Sequence, residues 1–298
     1  MFKNILVPLD GSNLSEASLA PAAFLAKTLK SQVTLLHIIE QGAPTEIHKE
    51  RHLTQPDEAI AYLKEVAKRD FPTDFKVTIH VHTAAVSNVA RSIVEHAPEL
   101  KPDLIVICTH GRGGVRDLLF GSIAQQVVAM GTIPLLVIKT KIPSFELKKI
   151  LIPLDPDSLH DTSLGMAESL AKIFQAELHL LSIIPTLSTL GDEQAAAGNL
   201  MPATTQVYLD LKVENAKKDL RTHIDALHKG NLKVIAEVAR GDPAPLIVKA
   251  AEQSGADMII LSTHRKAGMG AFWARSVAPK VAQKTTTPLL LIPLSQNE

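Results

Sequence analysis

Apolar residues along this chain fall into two alternating patterns. Short runs apolar at nearly every position, Ile5 to Pro8, Val33 to Ile39, Leu104 to Cys108 and Pro134 to Ile138, read as strands buried on both faces. Phe75 to Val81 reads as a further strand. Between them, apolar residues recur at helical spacing. Leu19, Ala23, Ala26 and Leu29 form one face, with Asn13 or Ser15 as its cap. Ala59, Leu63 and Val66 form another, after Pro56 at a helix start and running to about Arg69. Residues 87 to 97 and the run Ile123, Val127, Met130 complete the set, while residues 40 to 55 are polar and read as irregular. Such alternation predicts an α/β fold whose parallel sheet is covered by helices on both faces.

The pattern then repeats. Lys148 to Asp155 restates Lys3 to Asp10 at an offset of 145, and Thr287 to Ile292 restates Ile133 to Ile138 at an offset of 154. The second copy therefore holds nine more residues. They are placed between Pro185 and Thr205, where Gly191, Ala195-Ala196-Ala197-Gly198 and Pro202 read as a flexible loop. Lys139 to Leu147, with Pro143, reads as the linker. Two tandem domains follow, residues 1–141 and 147–298.

Candidate chemistry concentrates in Cys108-Thr109-His110-Gly111-Arg112-Gly113-Gly114-Val115-Arg116-Asp117-Leu118-Leu119-Phe120-Gly121-Ser122. This glycine-rich stretch leaves a strand and ends where a helix begins. The first amides of a helix lack partners within it, and the macrodipole is positive there, so an anion is favoured. Two other phosphate motifs are absent: there is no G-x-x-x-x-G-K-[ST], and Arg116 stands where the last glycine of G-x-G-x-x-G belongs.

Composition narrows the classes. Lys+Arg 31 balances Asp+Glu 31, which argues against a broad basic surface for DNA. The one cysteine, Cys108, excludes an internal disulfide and fits a reducing compartment. Met1-Phe2-Lys3-Asn4 lacks the layout of a signal peptide, and no apolar run reaches the ~20 residues a bilayer needs. The expectation is a cytoplasmic protein with no membrane segment.

The glycine-rich stretch resembles the nucleotide-binding loop of the universal stress protein family, whose pattern is G-x2-G-x9-G-[ST]. Gly111 and Gly121-Ser122 match it, with Cys108 in place of the first glycine. Lys3 to Ser12 resembles the family's first strand and turn, Leu35 to Ile39 its second strand end, and Thr132 to Ile138 its last strand. The likeness spans nearly the whole chain, in two copies. It implies two open five-stranded parallel sheets of order 3-2-1-4-5, related by a pseudo-two-fold, with the last strands of the two domains paired antiparallel. It also implies ATP or ADP, with magnesium, in the crevice between strands one and four. Adenine and ribose would lie near Pro8, Asp10 and Ile38, and the phosphates on Cys108, His110, Gly111, Gly121, Ser122 and Ile123.

The second copy departs from this pattern. Arg265 and Arg275 stand where Gly111 and Gly121 stand in the first, so that half is expected to be degenerate for nucleotide. Gly241-Asp242-Pro243 reads as a turn with a cap and a first-turn proline, and is missing at Ser87-Asn88-Val89.

Cys108 reads as a small strand-end residue. A redox role would need the anion-binding loop to lower its pKa, and the chain holds no resolving cysteine. His48 and His52 are four apart, and His80 and His82 share a strand face. Neither pair has a third ligand in sequence, so both read as solvated or locally bonded histidines rather than a metal site. No nucleophile, base and orienter can be assembled from the spacing. The expectation is therefore a binding module, not an enzyme beyond slow ATP hydrolysis or autophosphorylation. Its partners would be a nucleotide and regulatory proteins of unknown identity, with self-association of the tandem unit left open. The alternative is an interaction protein of the same fold without nucleotide, or one holding another small molecule in an apolar cleft.

Overall fold

The computed structural model describes residues 1–44, 46–47, 50–109, 121–139, 142, 144–154, 162–263 and 277–294. The chain divides into two compact units, one of Met1–Glu146 with Thr263–Asn297, the other of Leu147–Ser262.

In chain order the first unit opens with β1 (Asn4–Pro8), a 3-10 turn (Ser15–Ser18), α1 (Leu19–Leu29) and β2 (Gln32–Glu40). A two-residue hairpin follows, β3 (Glu46–Ile47) with β4 (Glu50–Arg51), inside the stretch expected to be irregular. Then come α2 (Pro56–Asp70), β5 (Val77–Val86), α3 (Val89–Glu95), α4 (Ala97–Leu100), β6 (Leu104–Cys108), α5 (Ser122–Met130) and β7 (Leu135–Ile138). The second unit holds β8 (Lys149–Leu154), α6 (Thr162–Phe174), β9 (Glu177–Ile184), α7 (Asp192–Leu200), α8 (Pro202–Lys229), β10 (Val234–Arg240), α9 (Pro243–Ser254) and β11 (Met258–Thr263). Two last elements, α10 (Val277–Lys284) and β12 (Leu289–Pro293), belong to the first unit although they end the second sequence repeat.

Strand order in the first unit is β12-β7-β6-β1-β2-β5. The repeat's five strands thus take the order 3-2-1-4-5, all parallel. β12 adds to β7 antiparallel, with Leu135 opposite Leu291, Leu136 opposite Leu290 and Val137 opposite Leu289. All six side chains are buried, so two strands that would otherwise end sheets as apolar edges cover each other. Lys139, just after β7, donates through Nζ to the Gln283 carbonyl at 2.9 Å. In the second unit β10, β9, β8 and β11 lie in that order, again parallel.

Both copies tie the first strand to the fourth in the same way. The Asp103 carboxylate accepts from the backbone N–H of Lys3 and Asn4, at 2.5 and 2.9 Å. Asp257 Oδ2 accepts from Lys148 and Lys149, at 2.7 and 2.8 Å. α1 hands over to the next strand through Lys30 in the left-handed region (φ 55°), and α6 does so through Gln175 (φ 56°).

The segment read as a flexible loop is helical. Ala195-Ala196-Ala197 are strong helix formers, and Pro202 takes the first position of α8, where its missing N–H costs nothing. Gly198 of α7 is buried, and a Cβ there would stand 2.9 Å from Leu190 Cδ1, so the helix lies close to its neighbours. Ile184, Leu209 and Ala216, with Leu190, Val213 and Val238, fill the space beneath.

Candidate functional site

β1 ends at Pro8, Leu9 and Asp10 follow it, and the chain turns at Gly11, whose φ of +93° suits a residue without Cβ. A Cβ at Gly11 would also stand 2.7 Å from Leu53 Cδ1. Asp10 Oδ1 accepts from the Ser12 N–H (2.9 Å) and hydroxyl (2.7 Å). The Ser12 Oγ accepts in turn from Ser15 N–H (3.2 Å), and Ser15 Oγ donates to the Ser12 carbonyl (2.8 Å). The expected cap by Asn13 or Ser15 is replaced by a 3-10 turn leading into α1. Glu16 on that turn is held by Tyr62 (3.1 Å) and Arg69 (2.6 Å) of α2. Below, the buried His37 ring spans two connections, Nδ1 2.8 Å from the Leu9 carbonyl and Nε2 3.0 Å from that of Leu53.

Opposite lies the end of β6 and the start of α5. Gly121 is the cap of α5, with φ −55° and ψ 140°, and its carbonyl accepts from Gln125 N–H at 3.0 Å. The first-turn amides of Ser122, Ile123 and Ala124 have no acceptor within the helix. Asn88 caps α3 by accepting from Arg91 N–H (2.9 Å) and donates to Gln126 of α5 (3.0 Å), fixing the two helices side by side.

These elements enclose a cleft of about 990 Å³, counting its open mouth. Pro8, Asp10, Ile38, Cys108, Gly121, Ser122 and Ile123, all singled out from sequence, line it together. His110 and Gly111 lie outside the described residues. Several lining residues escaped the sequence reading. Val89 and Ile93, one helical turn apart on α3, close one wall, and Glu40 and His52 another. Thr109 is buried with no partner for its hydroxyl among the described residues. The spacing of Val89 and Ile93 was legible as a helix face; what that face would cover was not.

The cleft is electrostatically two-sided. Asp10 and Glu40 are acceptors at the β1 and β2 end, while helix amides and the Ser122 hydroxyl are donors at the other. Cys108 stands between. Burial first, and the Asp10 charge second, push its thiol up to about 12. A redox role would need the opposite shift. Near neutral pH the sulfur is a protonated thiol, the unreactive form.

The second unit's counterpart is only partly described. Asp155, Arg265 and Arg275 lie outside the described residues. Asp242 does take the cap position of α9 with Pro243 following, but its side chain makes no capping bond among the described residues. No helix among the described residues is long and apolar enough to cross a membrane.

Comparison with known proteins follows the internal repeat. The sequence model of the Universal stress protein family matches residues 1–139 and again 146–293. Universal stress protein MJ0531 of Methanocaldococcus jannaschii is 30% identical over 148 residues, 47% of this chain and 83% of that protein. Among solved structures, a functionally unknown protein, PA1789 of Pseudomonas aeruginosa, superposes with a TM-score of 0.70 at 16% identity, covering 98% of this chain and 92% of its own. A universal stress protein from Archaeoglobus fulgidus gives 0.68 at 16%, covering 99% and 97%. Both share the fold.

Proposed function

The chain belongs to the universal stress protein family, and from that premise we propose that the cleft of its first unit binds an adenine nucleotide, ATP or ADP, as a sensing module in a stress response. One observation carries the reading: strands one and four of a 3-2-1-4-5 sheet diverge at this point, and across the gap an acidic turn faces a helix N-terminus with no side-chain cap among the described residues. The apolar walls, Ile38 and Ile93 among them, offer flat contact for a base. Asp10 has acceptor capacity for a ribose hydroxyl. Ser122 and the α5 amides suit phosphate oxygens, with magnesium accompanying ATP. The site is read as one of binding rather than turnover. The second half, with Arg265 and Arg275 in its loop, is read as not binding nucleotide.

A second reading rests on Cys108. Its Cβ and sulfur occupy ground that a glycine would leave to the phosphates, which favours an interaction protein without nucleotide. Mass spectrometry of a denatured extract of the purified chain, with calorimetric titration of ATP, separates the two. Co-purified nucleotide or saturable ATP binding supports the first. Neither, up to millimolar ATP, sinks it.

A further inference from the structure

His80 and His82 lie on one face of β5, the strand that ends the first unit's sheet. Sequence alone showed no third ligand for them. The fold supplies one, because the α3–α4 corner returns against this face. His96 at that corner packs edge-on against both rings, with centroids 5.0 Å from His80 and 4.8 Å from His82. Glu99, exposed on α4, joins the group, and the ligand atoms of His80, His96 and Glu99 all lie within 4.8 Å of one another.

The hydrogen bonding of His96 suits ligation. His96 Nδ1 is 2.7 Å from the Ser92 carbonyl, which can only accept. Nδ1 is therefore the donor of this bond, which leaves Nε2 as the atom available to an ion, the arrangement in which a second bond orients a ligating histidine.

We propose that His80, His96 and Glu99 form a binding site for a divalent transition ion of the zinc class, completed by water. Two imidazoles and a carboxylate are a known zinc ligand set, and nitrogen donors disfavour calcium and magnesium. Ligand atoms ~2.0–2.1 Å from a tetrahedral ion stand about 3.3 Å apart. The ligand atoms, within 4.8 Å of one another, would have to draw closer around an ion, with Glu99 the exposed member of the set. His82 stacks on His96 but stands outside the converging set. The bound ion would tie β5 to the end of α3, the helix whose Val89 and Ile93 line the cleft.

The test uses the full chain stripped with a chelator, titrated with Zn²⁺ by calorimetry and with Co²⁺ by visible absorption. One tight Zn²⁺ site is expected, in the low-micromolar range or below, with Co²⁺ absorption of low-symmetry nitrogen and oxygen ligation. Glu99→Gln and His80→Asn should each weaken Zn²⁺ by at least about tenfold. His82→Asn should stay within about twofold of wild type. Circular dichroism and the unfolding midpoint in chelator show whether each variant is folded, and Glu99→Gln, on an exposed side chain, reads out even if His80→Asn fails that control. Absence of Zn²⁺ binding in the wild type, or unchanged affinity in Glu99→Gln, would overturn the proposal.

Discussion

Asp10 and Ser12 are locked together at the mouth of the cleft: one carboxylate oxygen of Asp10 takes both the N–H and the hydroxyl of Ser12, at 2.9 and 2.7 Å. That pair of hydrogen bonds to one oxygen turns the chain through Gly11 and leaves the other carboxylate oxygen of Asp10 on the wall of the cleft. The turn and the ligand wall are thus one structure, and changes to it should affect stability and binding together.

Gly11→Ala tests this directly. A side chain at φ +93° is strained, and its Cβ meets Leu53 Cδ1 at 2.7 Å. Loss of about 1–3 kcal/mol in urea unfolding is expected, with weaker ATP binding in the folded fraction. An alanine variant as stable as the wild type would show that the turn relaxes freely.

Gly121→Arg should remove ATP binding and leave the fold intact. The position has an ordinary φ of −55°, so the backbone tolerates a side chain, and the guanidinium copies Arg275 of the second repeat. Equal ATP affinity in wild type and variant, by calorimetry, would place the phosphates elsewhere.

Cys108→Gly should tighten ATP binding several-fold, about 1 kcal/mol, by opening space at the β6 end. It should also cost roughly 0.5–1 kcal/mol of stability through chain entropy. With the thiol held near 12, brief peroxide treatment at neutral pH should leave wild-type affinity unchanged. A peroxide effect absent in Cys108→Ala would restore the redox reading.

Lys139 predicts a pH dependence of stability. It is buried, and burial lowers its pKa from 10.5 to about 8. Between those values the unfolded chain binds the proton and the folded chain has released it, so stability should rise with pH from about 8 upward. The full relief, spread from about pH 8 to 10.5, is on the order of 3 kcal/mol, of which roughly 1.4 kcal/mol falls below pH 9. Cys108 opposes it above its ordinary value of 9, where the unfolded thiol ionises first, so the clean window is pH 7.5 to 9. Chemical denaturation across that window should show the rise, and Lys139→Met should flatten it. A flat wild-type profile would mean that the Gln283 carbonyl compensates the charge fully.

Leu290→Ala should cost about 2–5 kcal/mol and speed amide exchange along β7, because Leu290 is buried opposite Leu136. Exchange in β7 equal to wild type would show that the strand does not depend on β12 for protection.

The sequence by itself determined the elements that repeat a local rule. Continuous apolar runs could only be strands covered on both faces, and the restatement of Lys3–Asp10 at Lys148–Asp155 required two copies. Asp10, Ile38, Gly121 and Ser122 could be named together because the family resemblance implied both the strand order and the positions beside the crevice that such an order opens. Segment 185–205 looks like a loop in sequence because glycine and proline favour one locally, while alanine propensity, a first-turn Pro202 and the apolar bed of Ile184 and Leu209 outweigh them. Tertiary structure decided what depends on residues far apart in the chain. The Cys108 thiol is pushed up by partial burial and by the Asp10 charge, neither of which its neighbours in sequence specify. His96 and Glu99 joined His80 only because an α-helical corner folds back on β5. Local pattern carries period and propensity; desolvation and ligand geometry are set by neighbours that no window of sequence contains.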